Sequence, residues 1–450
     1  MRMFEYGPAE IVGRRFVCSC GKVHVSPVKR VTVRAGAIEE LAFAVRELGG
    51  SRVFMVADEN TYKAAGERAK ALLEDAGIDC AVRLLTTEPG FERPEPTERT
   101  LGNLIMSFPR GYDAVVGVGG GVVNDLCKLV ATPGDLPYIY VPSCPSMDGY
   151  TSDSASVIYD GVKSSVACKC PDALIADTDL ISKAQKKLLL AGLGDMSAKY
   201  VSICEWRISA LINGEYYCGE VAQMMRTYRK AAFEHAEAAA NGDPAAVEAI
   251  INGLCLVGFA MTYAGCSRPA SGVEHYYSHL WDMRCLEEHR QCELHGIQVG
   301  VGTLLSLRKY EKLKKIIPDR KKAEERIRAF DREKWKKDVR DYFGASADKI
   351  IAIEEKEGKY DAERCLIRFD IIAAHREQIL QIIDEELIPA NELEALFKKI
   401  GHPVKPEDFG ESAESAGAAF AHTSDIRDKY ILSRLAFDLG ITPDELREDI

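Results

Sequence analysis

The feature that most constrains this chain is an apolar run at residues 114–118 that breaks into four glycines within residues 117–121 and resumes as the helix-compatible stretch VVNDLCKLVA. A buried strand, a glycine loop and a helix in that order place backbone N–H groups at a helix start with no Cβ in the way, which suits a pyrophosphate. The loop does not match GxGxxG and does not follow the first strand, so a tight structural turn is the competing reading. SRVFMVAD before it, CAVRLL, PYIYVPS after it and finally CPDALIADTDLIS are further strand candidates with helical stretches between them. Such alternation predicts a parallel sheet flanked by helices, with ligands at the carboxyl ends of the strands. The α/β domain is expected to span residues 1–179 and an all-helical domain residues 180–450.

Asp58 ends an early strand, where a carboxylate accepts from a ribose hydroxyl or caps the following helix. The stretch PSCPSMDGYTSDSAS leaves another strand end, where its hydroxyls and Asp148 can reach a nicotinamide and a polyol. Composition narrows the remaining classes. A formal charge of −11 disfavours broad nucleic-acid binding. No uninterrupted apolar run of membrane-spanning length and no signal-like h-region is found, so a cytoplasmic protein is expected. The 14 cysteines are scattered and read as reduced thiols. One cluster, CSCGKVH, offers Cys18, Cys20 and His24 but lacks a fourth zinc ligand, which favours a turn joining two short strands.

Residues 267–302 hold four of the nine histidines, with His275 and His279 one helical turn apart and His295 on a following helix. Histidines at that spacing are solvated or hydrogen-bonded more often than metallated. Ser271 and Gly272 read as a helix start, and Gly296 permits a close backbone approach. Asp195, behind Gly192 and Gly194, either caps a helix that starts there or is the carboxylate such histidines need, with Lys199 a turn later. Two histidines and one aspartate with an open position make a catalytic metal site. The charged stretch 308–342 reads as a solvated helical face.

In order, GVGGGVVNDLCKLVA, VPSCPSMDGYTSDSAS, IADT, GLGDMSAK, SRPASGVEHYYSH and HGIQVGVG resemble the motifs of the sn-glycerol-1-phosphate dehydrogenases. These share a superfamily with glycerol dehydrogenases, iron-containing alcohol dehydrogenases and dehydroquinate synthases. The resemblance is good over residues 53–302 and thinner at IRDKY, and SRPASGVEH separates it from plain glycerol dehydrogenases.

The resemblance implies a Rossmann-like domain followed by an all-α domain, and reversible reduction of dihydroxyacetone phosphate to sn-glycerol 1-phosphate with NAD(H) or NADP(H). It implies a zinc or nickel ion on Asp195, His275 and His295, which makes His279 a substrate or proton-relay residue and Asp148 a substrate contact shared with Asp195. It places Asp58, Gly120, Gly121, Val122, Val123, Asn124, Asp125, Ser143, Cys144, Pro145, Ser146 and Ser152 at the cofactor. Lys199 and Arg268 are candidates for the substrate phosphate, and a homo-oligomer is expected. Asn124 stands where the family has an aliphatic residue, Val122 follows the third glycine, and the helical part is longer than usual. The alternatives are a polyol dehydrogenase, a dehydroquinate-synthase-like cyclase, which carries Glu where this chain has Asp195, and a non-catalytic cofactor-binding protein.

Overall fold

The computed structural model describes residues 2–447. Its sheets comprise β1 (Arg15–Val17), β2 (Val23–Val25), β3 (Arg30–Arg34), β4 (Arg52–Ala57), β5 (Asp79–Leu84), β6 (Ala114–Gly119), β7 (Tyr138–Pro142), β8 (Ser154–Tyr159), β9 (Val162–Ala167) and β10 (Ala173–Asp177). Six of these form one all-parallel sheet in the order β3-β10-β7-β6-β4-β5. β1–β2 and β8–β9 are separate antiparallel hairpins. The central strands are buried on both faces, so they read as continuous apolar runs rather than alternating ones.

Strand order positions the ligand site. From β4 the chain moves outward to β5, then returns to lay β6 on the other side of β4 and continues through β7 to β10. The carboxyl ends of β4 and β6 therefore flank the point where the winding reverses, and Asp58 and the glycine loop stand there.

Compactness groups the chain differently from a single cut at residue 179. One unit comprises the chain up to Met196 with Cys218–Ala270 and Glu288–Ile297; the other comprises Ser197–Tyr217, Ser271–Glu287 and Gln298 onward. The grouping is discontinuous because two long helices, Lys186–Asn213 and His295–Leu313, each contribute residues to both units. In the first unit the helix Pro244–Ala264 is long and apolar enough to cross a membrane by composition, yet most of it is buried as a core helix beside Gly219–Glu234. In the second, residues 271–287 and 298–447 are helical apart from short connections. The charged stretch forms the helices Arg320–Arg328 and Arg332–Phe343, whose outer faces carry ion pairs such as Arg320 with Asp370 and Arg328 with Glu363.

Candidate active site

The helix Gly121–Ala131 starts directly at the end of β6, with Gly120 as its N-cap residue in extended conformation. The glycines around it answer to packing. A Cβ on Gly119 would lie 2.6 Å from Val123 Cγ2, and one on Gly121 would lie 2.7 Å from Met147 Cγ, whereas Gly120 meets nothing nearer than the Cys144 sulfur at 3.6 Å. Gly120 is thus the one glycine of the three whose freedom the surrounding protein does not use. The Asn124 N–H already donates to Gly120 O, leaving the N–H groups of Gly121, Val122 and Val123 as the first-turn donors of this helix.

Asn124 and Asp125 are turned to structural work. Asn124 Nδ2 donates to the carbonyls of Gly149 and Tyr150, each at 3.3 Å, while its Oδ1 accepts from the Tyr138 hydroxyl at 2.8 Å. This accounts for an amide in place of the aliphatic residue: it ties the helix to the loop after β7. Asp125 accepts from Ser156 N at 3.1 Å, and burial pushes its carboxyl above the usual range against the pull of Lys128. Lys128 was not singled out by the sequence reading. It is fully buried, and its Nζ donates to Gly149 O, Ser154 O and Ser152 Oγ at 2.7, 2.9 and 3.0 Å. Its spacing of three from Asp125 on one helix face was the available signal.

The loop after β7 is fixed at each end. Ser143 N donates to Gly119 O, and the Tyr150 hydroxyl donates to Cys144 O at 2.5 Å while accepting from Ser146 N at 2.9 Å. Thr151 Oγ1 donates to Cys255 O at 2.6 Å, which Gly258 permits, since a Cβ there would lie 2.3 Å from that hydroxyl. Asp148 is buried within this loop. Asp58 caps the helical segment that follows β4, its Oδ1 accepting from Asn60 N and Thr61 N, both at 2.8 Å. Its charge adds to burial in raising the Cys144 thiol, so the two sit in one neighbourhood.

Asp195 lies well inside the helix Lys186–Asn213, which corrects the reading of it as a cap at a helix start. Gly192 and Gly194 are interior helix residues. At 192 the reason is direct: a Cβ would sit 1.9 Å from Pro145 O, so the helix packs against the backbone of the loop after β7. One side chain at Asp195 thereby becomes fully buried close to that loop. In the same unit His295 opens the helix His295–Leu313, and Gly296 packs on Ala191, one turn before Asp195; a Cβ at 296 would lie 2.0 Å from Ala191 O. Asp195 and His295 consequently offer ligand atoms within 4.8 Å of each other. The segment leading to His295 is pinned by Arg93, which donates to Cys292 O at 2.7 Å, and by the Lys187–Glu293 ion pair at 2.8 Å.

In the second unit Val273 begins the helix Val273–Glu287, as Ser271 and Gly272 suggested. Buried Glu205 accepts from Val273 N at 3.0 Å, and Glu274 accepts from Gly272 N at 2.6 Å. Gly272 is required because a Cβ would lie 2.4 Å from Glu205 Oε2. Glu274 also accepts from His275 Nδ1 at 3.0 Å, which fixes the tautomer with the proton on Nδ1. Gly302 lets its helix lie on the Glu274 carbonyl, 2.6 Å from where a Cβ would stand. The IRDKY segment contributes Lys429, whose Nζ donates to Ser271 O and Oγ at 2.9 and 2.7 Å. His279 is buried a turn beyond His275, their rings 6.3 Å apart, and Asp282 brings a carboxylate oxygen within 4.8 Å of a His279 nitrogen. Asp282 was missed, although it lies three residues from His279 on the same helix. Lys199 and Arg268 are both buried.

Within the first unit, Asp195 and His295 bring together an anionic oxygen and an imidazole, a donor pair that suits a divalent metal. Residues 32–184 match the family described as iron-containing alcohol dehydrogenase. A probable glycerol dehydrogenase from Sinorhizobium meliloti shares the fold, with a TM-score of 0.59 at 19% identity over 93% of this chain and 94% of that one. Sequence relatives are more specific. Glycerol-1-phosphate dehydrogenase [NAD(P)+] of Halalkalibacterium halodurans is 30% identical over 409 residues, 90% of this chain and 92% of the relative. The enzyme of that name from Methanosarcina mazei is 34% identical over 278 residues, 62% of this chain and 75% of the relative. The chain belongs to the glycerol-1-phosphate dehydrogenase family.

Proposed function

We propose that this protein is a metal-dependent NAD(P)-linked dehydrogenase that interconverts dihydroxyacetone phosphate and sn-glycerol 1-phosphate. The observation that carries the metal part is the buried Asp195 carboxylate with His295 within 4.8 Å, packed there by Gly296 on Ala191. His275 serves as the third ligand through Nε2, because Glu274 holds its Nδ1. A zinc or nickel ion on these residues would supply Lewis-acid polarisation of the C2 carbonyl.

The remaining steps belong to the chain itself. The first-turn N–H groups of the helix Gly121–Ala131, with residues 143–146, receive the dinucleotide, and Asn124, Asp125 and Lys128 hold the following residues 149–156 in place. Ser152 contributes through its hydroxyl, which accepts from Lys128. Asp58 faces the ribose while capping its own helix, and favours NAD over NADP by repelling a 2′-phosphate. Asp148 orients the substrate hydroxyls. His279 carries the proton that the C2 oxygen takes up as hydride arrives, with the Asp282 carboxylate within 4.8 Å of a ring nitrogen. Lys199 and Arg268 are the buried cations assigned to the substrate phosphate.

The test is NADH oxidation with dihydroxyacetone phosphate by chelated protein and by protein re-supplied with zinc or nickel. Turnover restored by metal, and absent with glycerol, supports the reading; turnover with glycerol alone, or none with either metal, overturns it.

A further inference from the structure

Far from the Asp195 region in sequence, and wholly inside the first unit, the β1–β2 hairpin brings Cys18, Cys20 and His24 to Cys218. We propose that these four side chains form a second, closed metal site of structural type, taking zinc. The three residues of CSCGKVH lacked a fourth donor when read as a string; Cys218, 200 residues from Cys18, supplies it.

Geometry carries the proposal. A tetrahedral zinc with Zn–S of ~2.3 Å and Zn–N of ~2.0 Å sets sulfur pairs about 3.8 Å apart and sulfur–nitrogen pairs about 3.5 Å apart. Cys18 Sγ and Cys218 Sγ are 3.6 Å apart, and His24 Nε2 lies 3.3 Å from Cys20 Sγ and 3.5 Å from Cys218 Sγ. All four donor atoms fall within 4.8 Å of one another.

The surroundings fit a ligand set. Tyr263 O takes a hydrogen bond from His24 Nδ1 at 3.1 Å, which fixes the tautomer and leaves the Nε2 lone pair among the sulfurs. The hairpin turn is closed by Cys18 N donating to Lys22 O at 3.0 Å and by Gly21 at φ +87°, and Lys22 Nζ anchors it to Ala264 O at 3.0 Å. Cys218 is the N-cap residue of the helix Gly219–Glu234, where the helix dipole favours a thiolate. Metal binding would convert three crowded thiols into ligands, tying the N-terminal hairpin to two core helices.

Three thiolates and one imidazole select a soft, tetrahedral ion and leave no position open for substrate, unlike an Asp and His set. That difference makes the site separately observable. In full-length protein loaded with cobalt(II), only the cysteine site can give sulfur-to-cobalt charge-transfer absorption. We expect that absorption in the wild type and in His295→Ala, and its loss in Cys218→Ser and in Cys18→Ser; the Cys18 change lies in the half-buried hairpin and keeps the test usable if buried Cys218→Ser misfolds. Metal analysis of the zinc form should show one equivalent fewer in the cysteine variants than in wild type. Absence of charge transfer in wild type, the same metal content in Cys18→Ser, or mass-spectrometric detection of a Cys18–Cys218 disulfide in protein purified without oxidant would overturn the proposal.

Discussion

Substituting Gly296 by Ala tests whether the contact between a glycine and the Ala191 backbone sets the spacing of two metal ligands. The added Cβ would lie 2.0 Å from Ala191 O, 2.6 Å from its carbonyl carbon and 3.0 Å from its Cα. All three are backbone atoms of a helix, so no side chain can swing aside, and the two helices must part by on the order of 1 Å. Ala191 stands one turn before Asp195, and residue 296 follows His295, so the displacement falls on the Asp195–His295 spacing. A misplacement of about 1 Å at reacting groups costs roughly 100-fold in rate, or about 3 kcal/mol of transition-state stabilisation. Overpacking of this kind also removes about 1–3 kcal/mol of stability.

Gly102→Ala is the internal control. Gly102 lies in the helix Glu98–Met106 with nothing within 4 Å of its Cβ position, so the change should raise stability by about 0.5–1 kcal/mol and leave activity unaltered. Metal affinity by calorimetry after chelation, steady-state kinetics with dihydroxyacetone phosphate, and NADH affinity by fluorescence separate the effects. Gly296→Ala should lose metal affinity and about two orders of magnitude in kcat while NADH binding persists. A folded variant with wild-type metal affinity and kcat would refute the spacing argument.

Two further outcomes follow from the same structure. His295→Ala should abolish metal binding at the active site, whereas His279→Ala should keep the metal and slow reduction by about 10²–10⁴-fold, the range of a general acid; equal metal loss in both, measured by metal analysis, would contradict the division of roles. His402 is buried against Phe397, and burial lowers its pKa to about 4 from an ordinary 6.5. A group depressed in the folded state contributes stability that is present above pH 6.5 and lost as pH falls towards 4, about 2 kcal/mol of it by pH 5. Denaturant unfolding at pH 7.5 and pH 5 should show that slope in wild type and a flatter one in His402→Leu; an identical slope would reject the assignment.

How far these features could be read in the string depended on the distance over which each is determined. Strand and helix alternation is local, and β4, β5, β6, β7 and β10 fall where apolar runs placed them. β3 escaped because RVTVR alternates arginines on an edge strand, and β8–β9 because serine-rich strands read as loop. Asp58 was open between cap and ribose contact, and its capping bonds are now explicit. Asp195 was open between a cap at a helix start and a metal-binding carboxylate; it lies inside its helix, and Gly192 looks like a breaker until Pro145 O is seen against it. Glu274 and Lys128 are visible as residues, yet their partners at His275 Nδ1 and in the residues 149–154 loop exist only once the chain is folded. Cys218 could not have been joined to CSCGKVH by spacing, because the contact spans 200 residues.

The most direct measurement of the central claim is the stereochemistry of the product formed from dihydroxyacetone phosphate and NADH by the metal-loaded protein. The account predicts a glycerol phosphate that a dehydrogenase specific for sn-glycerol 3-phosphate leaves untouched. Oxidation of that product by the sn-glycerol-3-phosphate enzyme, or no glycerol phosphate at all, would contradict it.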